Sequence, residues 1–210
     1  NKNIIKFRGK PLISYTIKNL INTKLFDQII VSTDSKKIQK ISIKSGAKIF
    51  FKRPKQLSDD FTGTAKVINH SIKFIQNRGL TPKYICCVYP TSIMLKPEDI
   101  IKSFNKLKKS KSEFVFSITD YGHPPQRGFH LKNNKIQIIQ KKFFKKRTQD
   151  LPKIYHDAGQ FYWGKVNAWI KNKSFFTSKS YGYELSRHRV IDLDDKEDLK
   201  ALKIIFEAKN

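Results

Sequence analysis

Short apolar runs alternate with amphipathic helical periods along most of this chain, and that alternation limits the fold more than any other feature. Asp27 to Thr33 (DQIIVST), Lys48 to Phe51, Tyr84 to Tyr89 and Glu113 to Thr119 read as buried strands. Between them Ile13, Ile17 and Leu20, then Ile38 and Ile41, then Ala65, Ile68, Ile72 and Ile75, then Ile100, Phe104 and Leu107 recur at helical spacing. Pro11 and Pro97-Glu98-Asp99 suit helix starts, and Gly46 and Gly79 suit helix stops. Buried strands without strict polar alternation, separated by helices, predict an α/β fold with a largely parallel central sheet covered on both faces. A helix with Val166, Ala168 and Trp169, a strand over Arg189 to Leu193 and a closing helix with Leu199, Leu202 and Ile205 complete the series. A length of 210 residues suits a single domain, 1–210.

The rhythm breaks between Tyr121 and Lys146. Leu131-Lys132-Asn133-Asn134-Lys135 reads as a hairpin turn leading into Ile136 to Ile139, and Lys141 to Arg147 is a basic run that carries Phe143-Phe144. This segment, 121–146, is expected to be a small β excursion. Its aromatic pair would be costly to leave in water, so it is the candidate for contact with a partner or with substrate.

The formal charge is +26, from 43 Lys plus Arg against 17 Asp plus Glu. Such a charge raises nucleic acid as a partner, but the basic residues are spread over every segment and no zinc-finger spacing, Gly-Xaa-Xaa-Gly clamp or RNP-like stretch organises them. A positive field that favours small anionic substrates is the expectation, with no specific nucleic acid. No apolar run is long enough to cross a bilayer, so no membrane association and a cytoplasmic location are expected. Cys86 and Cys87 are adjacent in a strand, point to opposite faces and offer no disulfide framework.

Several groups could carry chemistry. Asp192 and Asp194 are one residue apart at the end of the last expected strand, where two hard carboxylates suit Mg²⁺ on a polyphosphate; Asp194 with Glu197 also makes a helix-capping box. Asp59 and Asp60 precede Thr62-Gly63-Thr64 at a helix start, where capping and anion binding are both open. Arg53, next to Pro54, could present its donor fork to a base or a phosphate, or be solvated. Arg147, at the end of the basic run, suits an acidic ligand or a solvated surface. In RTQDLPKIYHDAGQFYW, Arg147 to Trp163, a turn-prone His156-Asp157-Ala158-Gly159 leads into an aromatic strand, the pattern either of a surface turn before an ordinary strand whose aromatics are core or of a pocket rim with an apolar wall behind it. His156 and Asp157 are neighbours and make a weak hydrolytic dyad.

Taken in order, Lys2-Asn3, Gly9-Lys10-Pro11, IIVSTD, Arg53-Pro54, LSDD, CCVYPTS, FVFSITD, RTQDL, YHDAGQFYW and RVIDLDDKED resemble the sugar-acid cytidylyltransferases, the CMP-sialate/CMP-Kdo synthetase-like family, over essentially the whole chain. HDAGQFYW resembles the pseudaminate branch more than the sialate branch, and Tyr89 stands where sialate members tend to carry Gln. The resemblance implies a three-layer nucleotide-diphospho-sugar transferase-like fold. It implies Mg²⁺-dependent transfer of CMP from CTP to pseudaminic acid, a nine-carbon acidic sugar, with release of pyrophosphate. It implies roles for Lys2 and Asn3 near the phosphates and nucleotide, Arg53 at the cytosine, and Asp60 and Thr64 on the nucleotide side. Arg147, His156, Asp157, Gln160, Tyr162, Phe175 and Phe176 fall on the sugar side, and Asp192 and Asp194 on the metal, with Lys2, Arg147, Asp192 and Asp194 as the catalytic set.

The resemblance further implies a homodimer formed through 121–146 and a product destined for flagellin or surface polysaccharide. Family members begin with a strand and a Gly-Ser-Lys phosphate loop, whereas this sequence starts at that loop's last residues; an incomplete sequence is therefore the expectation. The competing readings are a related enzyme for sialic, legionaminic or Kdo-type acids, and a binding or assembly protein of the same fold without catalysis.

Overall fold

The computed structural model describes residues 2–171, 174–193 and 195–208. Its main sheet has four strands: β3 (Tyr84–Val88), β4 (Phe114–Asp120), β7 (Tyr155–Lys165) and β8 (Ser180–Glu184), in the order β3-β7-β4-β8. Two short ribbons lie apart from it, β1 (Lys6–Phe7) with β2 (Lys10–Pro11), and β5 (Phe129–Lys132) with β6 (Lys135–Ile138). The helices are α1 (Leu12–Asn22), α2 (Lys36–Lys44), α3 (Thr64–Gln76), α4 (Pro97–Lys109), α5 (Val166–Lys171) and α6 (Lys196–Glu207).

The expectation of a largely parallel sheet is wrong. The sheet is mixed, because β7 pairs antiparallel with both β3 and β4, and only β4 with β8 is a parallel ladder. The reason is topological. After Asp120 the chain turns back through 121–154 and re-enters the sheet at the end where β4 left it, with Tyr155 opposite Asp120, so β7 runs against β4; its apolar run Phe161-Tyr162-Trp163 is buried most completely in the middle, between two strands that already run the same way. The Asp27 to Thr33 run forms no ladder, only a single parallel bridge from Ile30 to Lys48. Arg189 to Leu193 is not a ladder strand either; the edge strand is SYGYE, whose half-exposed, partly polar residues carry little strand signal.

The helices lie as their periodicities predict, because their apolar stripes have sheet faces to cover. On one face α3 and α5 pack Ala65, Ile72, Ala168 and Trp169 against Phe114, Phe116 and Tyr162. On the other, α4 packs Ile100 and Leu107 against Val115, Phe161 and Trp163. Cys86 and Cys87 divide between these two faces, as neighbours in a strand must. Burial pushes the Cys87 thiol up to about 12, so it stays protonated and serves as packing. Gly46 and Gly79 end α2 and α3 with φ of +97° and +79°. Asn133 and Asn134, at φ +50° and +60°, make the tight turn of the β5–β6 hairpin.

At Gly164 on β7 the sheet and α5 touch without room for a side chain. A Cβ there would meet the Phe114 ring at 2.7 Å and the Trp169 indole nitrogen, and both rings are fully buried. Gly164→Ala is expected to lower stability by about 1–3 kcal/mol through overpacking, read from the midpoint of urea unfolding. An unchanged midpoint would show that the two rings can move apart.

Candidate functional site

The site is built around an irregularity in β7. Phe116 on β4 faces Tyr162 and Ile118 faces Asp157, so two steps on β4 match five on β7. The surplus is a bulge at Ala158 to Phe161, with Gly159 at φ +59°. Ser117, fully buried, fills the interrupted ladder: its Oγ accepts from the backbone N–H of Gln160 and of Phe161, each at 3.1 Å. Residues five apart on a regular strand face opposite ways. Here the bulge restores Asp157 to the face of Tyr162, and the Tyr162 hydroxyl donates to Asp157 Oδ2 at 2.7 Å. Asp157 Oδ1 accepts from the Gly159 N–H at 2.9 Å.

Tyr89, just beyond β3, extends this group toward α3. Its ring lies 5.5 Å from that of Tyr162, and its hydroxyl is 2.7 Å from Thr64 Oγ1. Burial pushes both tyrosines above their ordinary range, and the acceptance of the Tyr162 proton by Asp157 raises that residue further; both hydroxyls stay protonated at neutral pH. Phe175 lies 4.2 Å from Tyr162, and Phe176 meets Phe116 edge-on at 5.3 Å, its own ring largely exposed. Gln160 is buried; its amide donates to Ala158 O at 3.2 Å, and its carbonyl accepts from the Tyr89 N–H and the Ser92 hydroxyl. An aromatic floor with a hydroxyl–carboxylate chain along one side can hold a polar ring by stacking and by hydrogen bonds.

Thus Thr64, Asp157, Gln160, Tyr162, Phe175 and Phe176 come together. Thr64 does not cap its helix: Gly63 is the N-cap, and the Thr64 hydroxyl turns to Tyr89. His156 Nδ1 lies 2.9 Å from the Asp157 backbone carbonyl oxygen and its ring packs on Tyr121 at 4.7 Å, while the Asp157 carboxylate is taken by Tyr162 and Gly159, so the two are not arranged as a dyad. Lys2 and Asn3 lie in a 3₁₀ turn, Lys2–Ile4, and Lys2 Nζ is 4.0 Å from the exposed Asp192 carboxylate, which unites two more of the expected residues. Asp194 lies outside the described residues. The cap of α6 is Asp195, which accepts from Glu197 and Asp198, rather than Asp194.

Other expected residues lie in separate local groups. Arg53 donates from Nε to Ser58 Oγ at 3.1 Å, and its N–H reaches Thr33 O, which ties its loop to the end of the Asp27 to Thr33 run. Asp60 is exposed in that loop, while the Thr62 hydroxyl, together with the Phe61 and Thr62 N–H groups that Asp59 accepts, holds the Asp59 carboxyl below the usual range. Arg147 pairs with Asp150 at 3.0 Å on the surface of the excursion.

Two features escaped the sequence reading. Ser117 was legible only as a lone hydroxyl inside the apolar FVFSITD, where a buried polar group needs a partner. The other is a buried ion pair. Arg189 grips Asp99 at the start of α4 with two bonds, 2.5 and 3.2 Å, and Asp99 also accepts from Lys96 N and the Tyr183 hydroxyl. It fixes the chain three residues before Asp192. Leu193, buried against Phe7 and Leu202, fixes it one residue after.

For a divalent cation, the donor chemistry fits one mode. Among the described residues no cluster of three or more His, Cys, Asp or Glu could hold a metal. Mg²⁺ commonly takes only one or two carboxylates and completes its shell with phosphates and water. Asp192, anchored on both sides and exposed, suits that role.

The cytidylyltransferase family model matches residues 1–210. A pseudaminic acid cytidylyltransferase from Campylobacter jejuni serotype O:2 is 38% identical over 210 residues, covering 100% of this chain and 90% of that protein. A two-function protein from Helicobacter pylori, named pseudaminic acid cytidylyltransferase and UDP-2,4-diacetamido-2,4,6-trideoxy-beta-L-altropyranose hydrolase, is 34% identical over 194 residues, covering 92% of this chain and 37% of that one. In fold, the chain is similar to a CMP:2-keto-3-deoxy-manno-octonic acid synthetase complexed with CTP, with a TM-score of 0.70 at 10% identity, covering 100% of this chain and 92% of that one. A 4-diphosphocytidyl-2C-methyl-D-erythritol synthase from Anaerococcus prevotii matches with a TM-score of 0.65 at 12% identity, covering 99% and 93%.

The Ser117 hydroxyl is the one side-chain partner of two buried N–H groups. Ser117→Ala is expected to lower stability by about 1–3 kcal/mol and to release the Asp157–Tyr162 bond, visible as faster amide exchange at Gly159 to Phe161. Exchange left unchanged at those amides would mean that the bulge holds without the hydroxyl.

Proposed function

Because this chain belongs to the cytidylyltransferase family, we propose that it transfers CMP from CTP to pseudaminic acid, giving CMP-pseudaminic acid and pyrophosphate. The observation that carries this reading is the 38% identity to the Campylobacter jejuni protein over the entire chain. The assembled wall of Tyr162, Phe175 and Phe176 beside Asp157 and Tyr89 supports it. A cytoplasmic site, where CTP is made, is part of the proposal, as is delivery of the product to flagellin or surface glycans. A relative from Campylobacter coli, 27% identical, is named for post-translational flagellin modification.

In the proposed reaction the anomeric hydroxyl oxygen of the acid bonds to the α-phosphorus of CTP. The bond from that phosphorus to the β-phosphate bridge breaks, pyrophosphate leaves, and the hydroxyl proton passes to solvent. Asp192, and Asp194 with it, would hold Mg²⁺, which when bound neutralises phosphate charge and orients the phosphates. Lys2, 4.0 Å from Asp192, would share the charge that develops on the phosphates. Asn3, Arg53, Asp60 and Thr64 are proposed for the nucleotide, and His156, Asp157 and Gln160 for the sugar rim. Arg147 can exchange Asp150 for a substrate anion at little cost, because an exposed pair of this kind contributes about 0–1 kcal/mol.

A homodimer through 121–146 is also proposed. In the β5–β6 hairpin, Phe129 faces Ile138 and Leu131 faces Ile136, which puts four apolar side chains on one side. They are 52%, 39%, 67% and 62% exposed in the order just named. An isolated two-stranded hairpin is marginal in water, and an apolar face of this kind calls for a cover. A second copy supplies one by the same self-complementary patch.

Asp192→Asn is expected to lose most pyrophosphate release from CTP and pseudaminic acid at an unchanged thermal midpoint. Near-normal synthesis would remove Asp192 from the mechanism. A panel with sialic, legionaminic and Kdo-type acids tests the substrate, and CTP left intact with every acid would defeat the enzymatic reading. Leu131→Asp with Ile136→Asp is expected to shift the mass in light scattering from dimer to monomer; a wild-type monomer would contradict the dimer.

A further inference from the structure

A cleft of about 510 Å³ lies outside the groups so far assigned, lined by Asp120, Glu184, Leu185, Ser186, Arg187 and His188. It sits at the carboxyl ends of β4 and β8, the edge of an α/β sheet where ligands collect. Strand register places it on the sugar-wall face. Phe116 and Ile118 pack with Tyr162, and Asp120, two residues further on, shares their side of β4. Glu184 pairs with Ile118 across the parallel ladder, and Asp157 pairs with the same Ile118 across the antiparallel one. Asp157 and Glu184 therefore stand on either side of one residue, two strand spacings or about 10 Å apart. That span matches the long dimension of a sugar ring with a short side chain.

The charges within the cleft are sorted. Arg187 Nε is fixed by Asp120 Oδ1 at 3.0 Å, which leaves the outer N–H groups of the fork directed elsewhere. The Ser186 hydroxyl is taken by His188 Nε2 at 2.7 Å. Glu184 is exposed and has no ion-pair partner among the described residues. A carboxylate here repels the acid group of an anionic sugar and accepts hydrogen bonds from its hydroxyl and N–H groups. The same arrangement selects orientation, because the sugar carboxylate is driven toward the cationic groups and the neutral end toward Glu184.

We propose that Glu184, together with the Arg187 fork held by Asp120, forms the outer half of the sugar site and receives the uncharged hydroxyl and acylamino end of the nonulosonic acid. Glu184 accepts from O–H or amide N–H, and Arg187 donates to an acyl carbonyl. This rests on the reading of the chain as a nonulosonate cytidylyltransferase.

The test compares wild type, Glu184→Ala and Glu184→Gln with pseudaminic acid and with 3-deoxy-octulosonic acid, which has no acylamino group. For Glu184→Ala, kcat/KM for pseudaminic acid is expected to fall roughly 10- to 100-fold, the loss of one charge-assisted hydrogen bond. The KM for CTP and the thermal midpoint are expected to hold, and Glu184→Gln, which keeps an acceptor oxygen, to fall in between. Any turnover of 3-deoxy-octulosonic acid is expected to change less than that of pseudaminic acid. Wild-type kcat/KM in Glu184→Ala, or an equal loss with both acids or in the KM for CTP, would overturn the proposal. A wild type inactive on every acid defeats the functional reading itself, an outcome seen before any variant is compared.

Discussion

One buried hydroxyl carries the local geometry on which the candidate site depends. Ser117 occupies the gap that the β7 bulge opens in the ladder and accepts from two backbone N–H groups that would otherwise be stranded in the core. An unpaired buried N–H costs about 1–3 kcal/mol, so the bulge is tolerated because the hydroxyl is there. The bulge reverses the parity of β7. Ala158 and Phe161, three apart, both enter the α4-side core, while Asp157 and Tyr162 share the opposite face. Without the bulge, the carboxylate and the phenol would lie on different sides of the sheet.

A second constraint acts around Asp192. The buried Arg189–Asp99 pair and the buried Leu193 hold the chain on either side of Asp192, so the exposed carboxylate is carried between two packed anchors. Breaking such a pair by removing one partner is costly, which is why the geometry it imposes is firm. The net charge of +26 comes from basic residues spread over the whole chain, whereas Asp157, Asp120 and Glu184 lie on one face of the sheet. A strongly basic protein can thus draw anions from a distance while one face of its sheet keeps local negative charge.

The helices were legible because their signal is local. Ile13 and Ile17, or Ile72 and Ile75, repeat at helical spacing whatever they pack against, and all four are buried. Gly46 and Gly79 mark ends that only a left-handed residue makes easily. Strand identity was legible for Tyr84 to Val88, whose apolar run is continuous, and for Phe114 to Asp120, which is mostly apolar and β-branched or aromatic. It was not legible for β8, whose Ser-Tyr-Gly-Tyr-Glu has an edge strand's mixed exposure, nor for Arg189 to Leu193, which is apolar because it packs on helices. Tyr162, Phe175 and Phe176 could be nominated from sequence; that Thr64 turns to Tyr89 instead of capping α3 could not.

By itself the sequence determined the α/β class, the helix positions, the hairpin excursion with its Asn133-Asn134 turn, and the resemblance that nominates a nucleotide and an acidic sugar. Only the tertiary structure decided that β7 runs against its neighbours, that a bulge brings Asp157 to Tyr162, and that Lys2 meets Asp192. The physical reason is the range of the interactions. Helical periodicity and turn chemistry are set by residues a few positions apart, whereas strand direction, bulge parity and side-chain partners depend on groups that folding brings together from distant parts of the chain.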